Sequence, residues 1–324
     1  MRAFCDEHGI AHETCGKLIV ATEPNELPAM EALFTRASAN NIRITRLSAD
    51  DARRIEPNIR AIGALFSPDT GIVDFGRVAE KMAALIVARG GQIRTATRVT
   101  GGYETATGVH LTTPDGRIDT ARAVFCAGLW ADRLARRFGA IPQSGPFRII
   151  PFRGEYFRIT DQPADLVRHL IYPVPDQARP FLGVHLTRKM DGGFTVGPNA
   201  VLAMARAGYA KTAINPRDLS EALLWPGFWR MLARNAAPAM SELSASVLRR
   251  LYLRKVQRYC DRITLADLTP YRSGIRAQAV GADGQLIDDF LFAQTAHTLH
   301  VCNAPSPAAT SALPIGRHIA ERIM

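Results

Sequence analysis

The sequence predicts an α/β fold in which an incomplete, mainly parallel sheet is interleaved with an antiparallel sheet, with helices covering both. Three observations carry that expectation. Residues 123–127 form a near-continuous apolar strand that runs straight into a helical segment, the pattern of a parallel strand covered on both faces. Residues 298–302 form a second short apolar strand, which breaks into Asn303-Ala304-Pro305-Ser306-Pro307-Ala308-Ala309-Thr310-Ser311 before a final helix. Small residues between a strand and a helix leave backbone N–H groups available and let a flat ligand approach closely, so this turn reads as a ligand-binding terminus. Residues 146–200 instead alternate in a strand-like way between Pro-rich and Gly-rich turns, which is the signature of an antiparallel sheet.

Each element follows from its local pattern. Residues 1–16 read as an amphipathic helix leading into a compact strand at 17–22, which Pro24 and Asn25 close. Apolar spacing predicts a helix over 27–40, and Ser48 followed by Asp50-Asp51 is a cap with an acidic first turn for another at 48–55. Two short strands between 61 and 75 flank the turn Ser67-Pro68-Asp69-Thr70-Gly71. Helix 77–89 carries Val78, Met82, Leu85 and Ile86 on one face and stops at Gly90-Gly91. Strands are expected at 93–100, 108–113 and 118–121, with Pro114-Asp115-Gly116 turning between the last two, then at 123–127 ahead of helix 130–138. The antiparallel region places strands at 147–159, 170–174, 181–187 and 194–198. Residues 216–259 read as helical, with Leu248, Leu251, Val256 and Tyr259 recurring at helical spacing, and strands resume from Pro270 until a closing helix at 313–323. No repeat or low-complexity linker divides the chain, so its two halves are expected to interleave.

At 324 residues, 47% hydrophobic and 22% charged, the chain has globular composition and length for a sizeable core. Cys5, Cys15, Cys126, Cys260 and Cys302 are odd in number and contain no CxxC pair, which argues against a disulfide framework or a structural zinc site. No apolar run reaches the roughly 20 residues that cross a bilayer, and a reducing cytoplasm is the expected setting. Net charge is +10, but the basic residues are spread along the chain and never run longer than two, so nucleic acid is not an expected partner. The surplus favours anionic substrates or an anionic membrane surface through long-range attraction.

The chain contains neither GxGxxG nor GxxxxGK[ST], so no phosphate-cradling turn is found in it. His8 and His12 are four apart, yet Gly9 weakens any helix between them and no third ligand is near, so no metal site is expected. Cys126-Ala127-Gly128 sits where a strand passes into a helix; its glycine serves either close backbone approach by a ligand or helix–strand packing. Arg276, after Gly274-Ile275, lies in an apolar strand where a guanidinium needs a partner. That partner is either a substrate carboxylate, met by two parallel bonds, or a structural pair with Asp288 or Asp289. Arg153 and Tyr156 within Pro151-Phe152-Arg153-Gly154-Glu155-Tyr156, together with Tyr172 and His185, form a pocket wall if they share a face and are structural otherwise.

Six segments carry a resemblance that spans essentially the whole chain: 151–156, 169–175, 181–188, 195–200, Gly274-Ile275-Arg276-Ala277-Gln278 and the stretch 302–310. They are similar to the L-2-hydroxyglutarate oxidase/dehydrogenase family, within the FAD-dependent oxidoreductases of the D-amino-acid oxidase type. Members of that family open with a strand–GxGxxG–helix unit and an acidic ribose-binding residue, so relative to them this chain is expected to be truncated at its N-terminus. The parallel sheet is then the FAD-binding one, with FAD-side parts at about 70–140 and 270–324 and substrate-side parts at about 17–66 and 146–268.

The resemblance implies oxidation of L-2-hydroxyglutarate to 2-oxoglutarate with FAD as hydride acceptor, and oxygen or a membrane quinone as the final electron acceptor. The site residues it implies are Arg276 and Arg153 on the two carboxylates, Tyr172 and Tyr156 for orientation, and His185 as the base, its near-neutral intrinsic pKa being suited to that task. Cys126, Ala127, Gly128, Gly274, Asn303, Ala304, Pro305, Ser306, Ala309 and Thr310 are expected to face the flavin, and Val99 resembles the position whose backbone meets the adenine. Three alternatives stay open: a flavin oxidase of glycerol 3-phosphate, one of an amino acid, or a flavin-free binding protein. A cytoplasmic location with peripheral contact at the inner membrane completes the expectation.

Overall fold

The computed structural model describes residues 1–324 except 161, 164, 176–182, 306 and 324. An eight-stranded sheet dominates it, in the order Leu268–Pro270, Phe157–Ile159, Phe194–Gly197, His185–Arg188, Leu170–Pro173, Lys17–Ala21, Gly63–Ser67, Thr45–Ser48. Neighbours run antiparallel except Leu170–Pro173 beside Lys17–Ala21, whose register sets Leu170 against Lys17 and Tyr172 against Ile19. The strand expected at 17–22 forms over Lys17–Ala21, and it joins the sheet built by the middle of the chain.

Strand side chains alternate between faces, so register decides what each face displays. Leu18, Val20, Ile171, Leu186, Val196 and Phe157 turn to one face and make the largest core with Tyr252 and Val256 of the helix Arg249–Gln257. The Tyr252 hydroxyl, buried there, is 3.2 Å from the Glu155 carbonyl and 3.1 Å from that of Val196, which satisfies it. Ile171 opposite Leu186 then puts Tyr172, His185 and Thr187 on the other face, in line with Lys17.

Two smaller three-stranded sheets carry the other site segments. Phe147–Gly154 pairs along its length with Gly274–Gly281, with Phe152 opposite Arg276 and Gly154 opposite Gly274. Ala123–Phe125 lies parallel to Thr298–Asn303, with Leu291–Gln294 antiparallel on the other side. The expected mainly parallel sheet is thus represented by one parallel pair, and Val124 is 40% exposed instead of covered on both faces. A separate meander joins Gly101–Glu104, Val109–Thr113 and Gly116–Thr120.

Local chemistry sets most element ends. The Ser48 hydroxyl accepts from Asp51 N at 3.1 Å and caps Ala49–Ile55, and Asp74 accepts from Gly76 N at 2.8 Å at the head of Phe75–Ala88. The opening helix is shorter than expected, Arg2–Glu7, because Gly9 at φ +65 follows it and His12–Glu13 pairs with Ile72–Val73. No strand forms over 93–100; the chain there has no regular structure until Gly101. The expected strand 147–159 is two strands in different sheets, because Asn199 bonds Glu155 at both backbone and side chain and draws the chain out of the ladder. The expected strand 181–187 is seen as His185–Arg188; Phe181 and Leu182 lie outside the described residues. Among the described residues, no helix is long and apolar enough to cross a membrane.

A buried ion network ties the halves together. Asp132, 0% exposed in the helix Ala131–Arg137, receives Arg206 at 2.5 and 3.1 Å and also the Ile149 backbone N–H. Arg206 bonds the Leu129 carbonyl and Glu221 as well, and Arg133 reaches Asp218 at 2.6 Å, so the Gly128–Trp130 turn is locked to the helix Pro216–Leu223. Removing one partner strands a buried charge, so Arg206→Ala is expected to lower unfolding free energy by about 3–5 kcal/mol in denaturant titration, against under about 1 kcal/mol for the exposed Arg53→Ala.

A second expectation concerns pH. His300, 1% exposed and stacked on Phe125 at 4.5 Å, is pushed down to about 4 chiefly by burial, with Glu104 opposing. The unfolded imidazole takes a proton near pH 6.5 and the folded one only near 4, so stability present above 6.5 is lost as pH falls between those values. That loss is roughly 3 kcal/mol. His300→Gln should flatten the stability profile in this window, and an unchanged slope would contradict the assignment.

Candidate active site

The polar face of the large sheet carries a tight group. Tyr172 and His185 stack at 4.2 Å and 22°, the Lys17 ammonium lies 5.4 Å from the Tyr172 ring centre, and the Tyr172 and Thr187 side chains are hydrogen-bonded. His185 Nδ1 sits 3.1 Å from the Gly183 carbonyl, which only accepts, so the proton is on Nδ1 and Nε2 keeps its lone pair. Burial, and then the neighbouring charges of Arg276 and Lys17, push His185 down to about 4. The imidazole is therefore neutral at physiological pH, and the near-neutral pKa expected from its residue type does not survive the fold.

Arg276 reaches this group from the second sheet. Its charge acts on His185, Tyr172 and Tyr156, counteracting the upward push that burial gives both phenols. Tyr156 lies in the break between Gly154 and Phe157 and comes close enough to raise the Tyr172 pKa. Arg276, Tyr156, Tyr172 and His185 are thus brought together. Asp289, an alternative partner for Arg276, has its carboxylate bonded to Phe290 N at 2.7 Å.

Arg153 does not join them. Phe152 faces Arg276, so the next residue emerges on the opposite side, where the Arg153 guanidinium meets Glu155 at 3.0 Å and the Ala210 carbonyl at 3.4 Å. Glu155 is itself bonded to Asn199 and Ser246, so Arg153, 5% exposed, belongs to a buried structural network. Its expected contact with a substrate carboxylate is withdrawn on that ground.

The strand-end residues divide in the same way. Cys126 and Gly128 are exposed and Ala127 half-buried beyond the end of Ala123–Phe125. Gly128 has φ +51 and a Cβ there would meet nothing within 4 Å, so the glycine is required by backbone conformation and not by packing. Gly274 likewise borders open space, and Ala304, Pro305 and Ala309 present small side chains at the surface. Thr310 donates to the Pro307 carbonyl at 2.8 Å. Asn303 turns inward instead: its amide donates to the Ile287 and Asp289 carbonyls at 2.9 and 2.7 Å and pins that loop. Val99 is half-buried outside any strand, and Ser306 lies outside the described residues.

A cleft of about 920 Å³ is lined by one residue of each set, Tyr172 of the sheet face and Thr310 of the strand-end turn, together with Thr187, Lys189, Tyr271 and Arg272. Open space over small residues and a bare glycine turn fits a flat ring, which is the end of FAD that the sequence leads one to expect here. Lys17, Thr187, Tyr271 and Arg272 were not singled out from the sequence. Lys17 was the most accessible to sequence reasoning, as the polar opening residue of a strand whose alternate positions are sealed in the core.

The family model described as FAD dependent oxidoreductase matches residues 1–322. L-2-hydroxyglutarate dehydrogenase of Escherichia coli K12 is 48% identical over 323 residues, 99% of this chain and 76% of that protein. The mitochondrial L-2-hydroxyglutarate dehydrogenase of Bos taurus is 36% identical, covering 99% and 72%. Among solved structures, an L-alpha-glycerophosphate oxidase from Mycoplasma pneumoniae with FAD bound has a TM-score of 0.73 at 19% identity, covering 96% of this chain and 73% of that one. Glycine oxidase from Bacillus cereus follows at TM-score 0.69 and 14% identity, covering 99% and 76%. With the family match spanning residues 1–322 and relatives at such identity, the chain belongs to the FAD-dependent oxidoreductases, in the family that includes these L-2-hydroxyglutarate dehydrogenases.

Proposed function

We propose that this protein oxidises L-2-hydroxyglutarate to 2-oxoglutarate with FAD. The observation that carries the reading is that a guanidinium, two phenols and a neutral imidazole are electrostatically coupled around Tyr172, which lines a cleft together with Thr310 of the small-residue turn. Residues that would hold the flavin end of FAD are Cys126, Ala127, Gly128, Gly274, Ala304, Pro305, Ala309 and Thr310. When bound, FAD supplies a two-electron acceptor for the hydrogen on the hydroxyl-bearing carbon.

The chain's own residues do the rest. Arg276 binds the carboxylate beside the reacting carbon, since its strand runs against both the Gly128–Trp130 turn and Thr298–Asn303. Tyr172 and Tyr156, kept protonated by burial, donate hydrogen bonds that orient the substrate. His185 Nε2 takes the hydroxyl proton. A base with a pKa near 4 is weak in the empty site, but a dicarboxylate brings negative charge beside it and offsets the cations that depress it. Oxygen or a membrane quinone then reoxidises the enzyme.

Two measurements test the reading. Arg276→Lys loses the bidentate geometry, so kcat/KM for L-2-hydroxyglutarate should fall about 10- to 100-fold, mostly through KM. An unchanged KM would remove Arg276 from the carboxylate. In pH profiles, the acid limb of kcat/KM, which reports the free enzyme, should lie near pH 4, and that of kcat at higher pH, because bound substrate raises the His185 pKa. Coincident limbs, or limbs that persist in His185→Gln, would refute the base assignment. Glycerol 3-phosphate and amino acids, run beside hydroxyglutarate, should give little turnover.

A further inference from the structure

We infer that Lys17 is the second cation of the site and that it binds the distal carboxylate of the substrate, making it the residue that selects dicarboxylates over monocarboxylates. The inference rests on the hydroxy-acid reading above and supplies the second positive group that Arg153 does not.

Lys17 opens the strand Lys17–Ala21 and stands on the sheet face that carries Tyr172 and His185. Its aliphatic stem is half-buried, and the ammonium lies 5.4 Å from the centre of the Tyr172 ring, which itself lines the cleft. Among the described residues no carboxylate bears on this ammonium, and burial alone pulls it below the usual lysine range. A ring face offsets only a part of such a charge, about 0.5–1 kcal/mol, so the site is incomplete without an anion. His185 feels both Lys17 and Arg276, so both cations act on the same imidazole. Lys17 comes from the large sheet and Arg276 from the strand that runs against the flavin-side turn, so Arg276 is the cation nearer the reacting carbon and Lys17 the one for the far end. A five-carbon diacid presents its two carboxylates at opposite ends, matching one cation from each sheet.

The test compares L-2-hydroxyglutarate with L-2-hydroxypentanoate, which has the same carbon chain without the distal carboxylate, in the FAD-loaded enzyme. Calorimetric binding of 2-oxoglutarate and 2-oxopentanoate gives a readout independent of turnover. Lys17→Ala should weaken 2-oxoglutarate binding and kcat/KM for hydroxyglutarate about 10- to 100-fold, leave the monoacid within about twofold, and so collapse the preference between them. Lys17→Arg keeps the charge and should recover most of the loss, which a folding defect would not allow. Equal weakening of both ligands, or an unchanged affinity for 2-oxoglutarate, would overturn the assignment. Failure of the underlying reading looks different: the unmodified enzyme itself would show no preference for the diacid, and the role of Lys17 would fall with it.

Discussion

The constraint on which this structure depends is the side-to-side alternation of the eight-stranded sheet. Leu18, Val20, Ile171, Leu186 and Val196 must face inward to form the core, and at about 25 cal/mol per Å² their burial outweighs any single polar contact on the other face. A slip of one residue would drive Lys17, Tyr172 and His185 into the core and expose the apolar set. The hydrophobic pattern therefore fixes the polar constellation without any residue of the site having to stabilise itself. That is how a buried, neutral imidazole and a half-buried ammonium persist side by side.

The sheet alone gives only part of the site. The flavin-side turns follow the parallel pair Ala123–Phe125 and Thr298–Asn303, whose ends open into small residues, and Asn303, whose amide pins the Ile287 and Asp289 carbonyls, fixes the second of them. The Asp132–Arg206 network holds the first of them in position, since it grips the Leu129 carbonyl one residue after Gly128 and the helices of the middle region at once. Such a buried network adds little net stability compared with apolar packing, but breaking it is costly, which suits a joint that must keep two surfaces in one relative position. Arg276 is borne on a strand of the intermediate sheet.

Local signals were legible in the sequence and long-range ones less so. The Ser48 cap and the strand at 17–21 depend on neighbours a few residues away, and they stand where the local pattern puts them. The grouping of Arg276, Tyr156, Tyr172 and His185 followed from the resemblance, and register supplied its physical basis. Arg153 was misread because seven of the eight residues of Phe147–Gly154 are buried, so the strand offers no polar–apolar alternation from which to tell its faces. Asn303 was misread because an amide at a strand end serves an inward loop as well as an outward ligand. The pKa of His185 was beyond reach, since burial and two cations from distant parts of the chain set it. Lys17 escaped notice because its neighbour Tyr172 is 155 positions away and meets it only through the parallel pairing.

The central claim, that one sheet face and one neighbouring strand supply a cation each to a single substrate beside the small-residue turn, is tested most directly by a crystal structure of the FAD-loaded enzyme with 2-oxoglutarate. The account predicts one carboxylate within hydrogen-bond distance of the Arg276 guanidinium, the other within reach of Lys17 Nζ, and the keto carbon between His185 and the turn at Thr310. Electron density for the diacid elsewhere, or bound with neither cation, would contradict it.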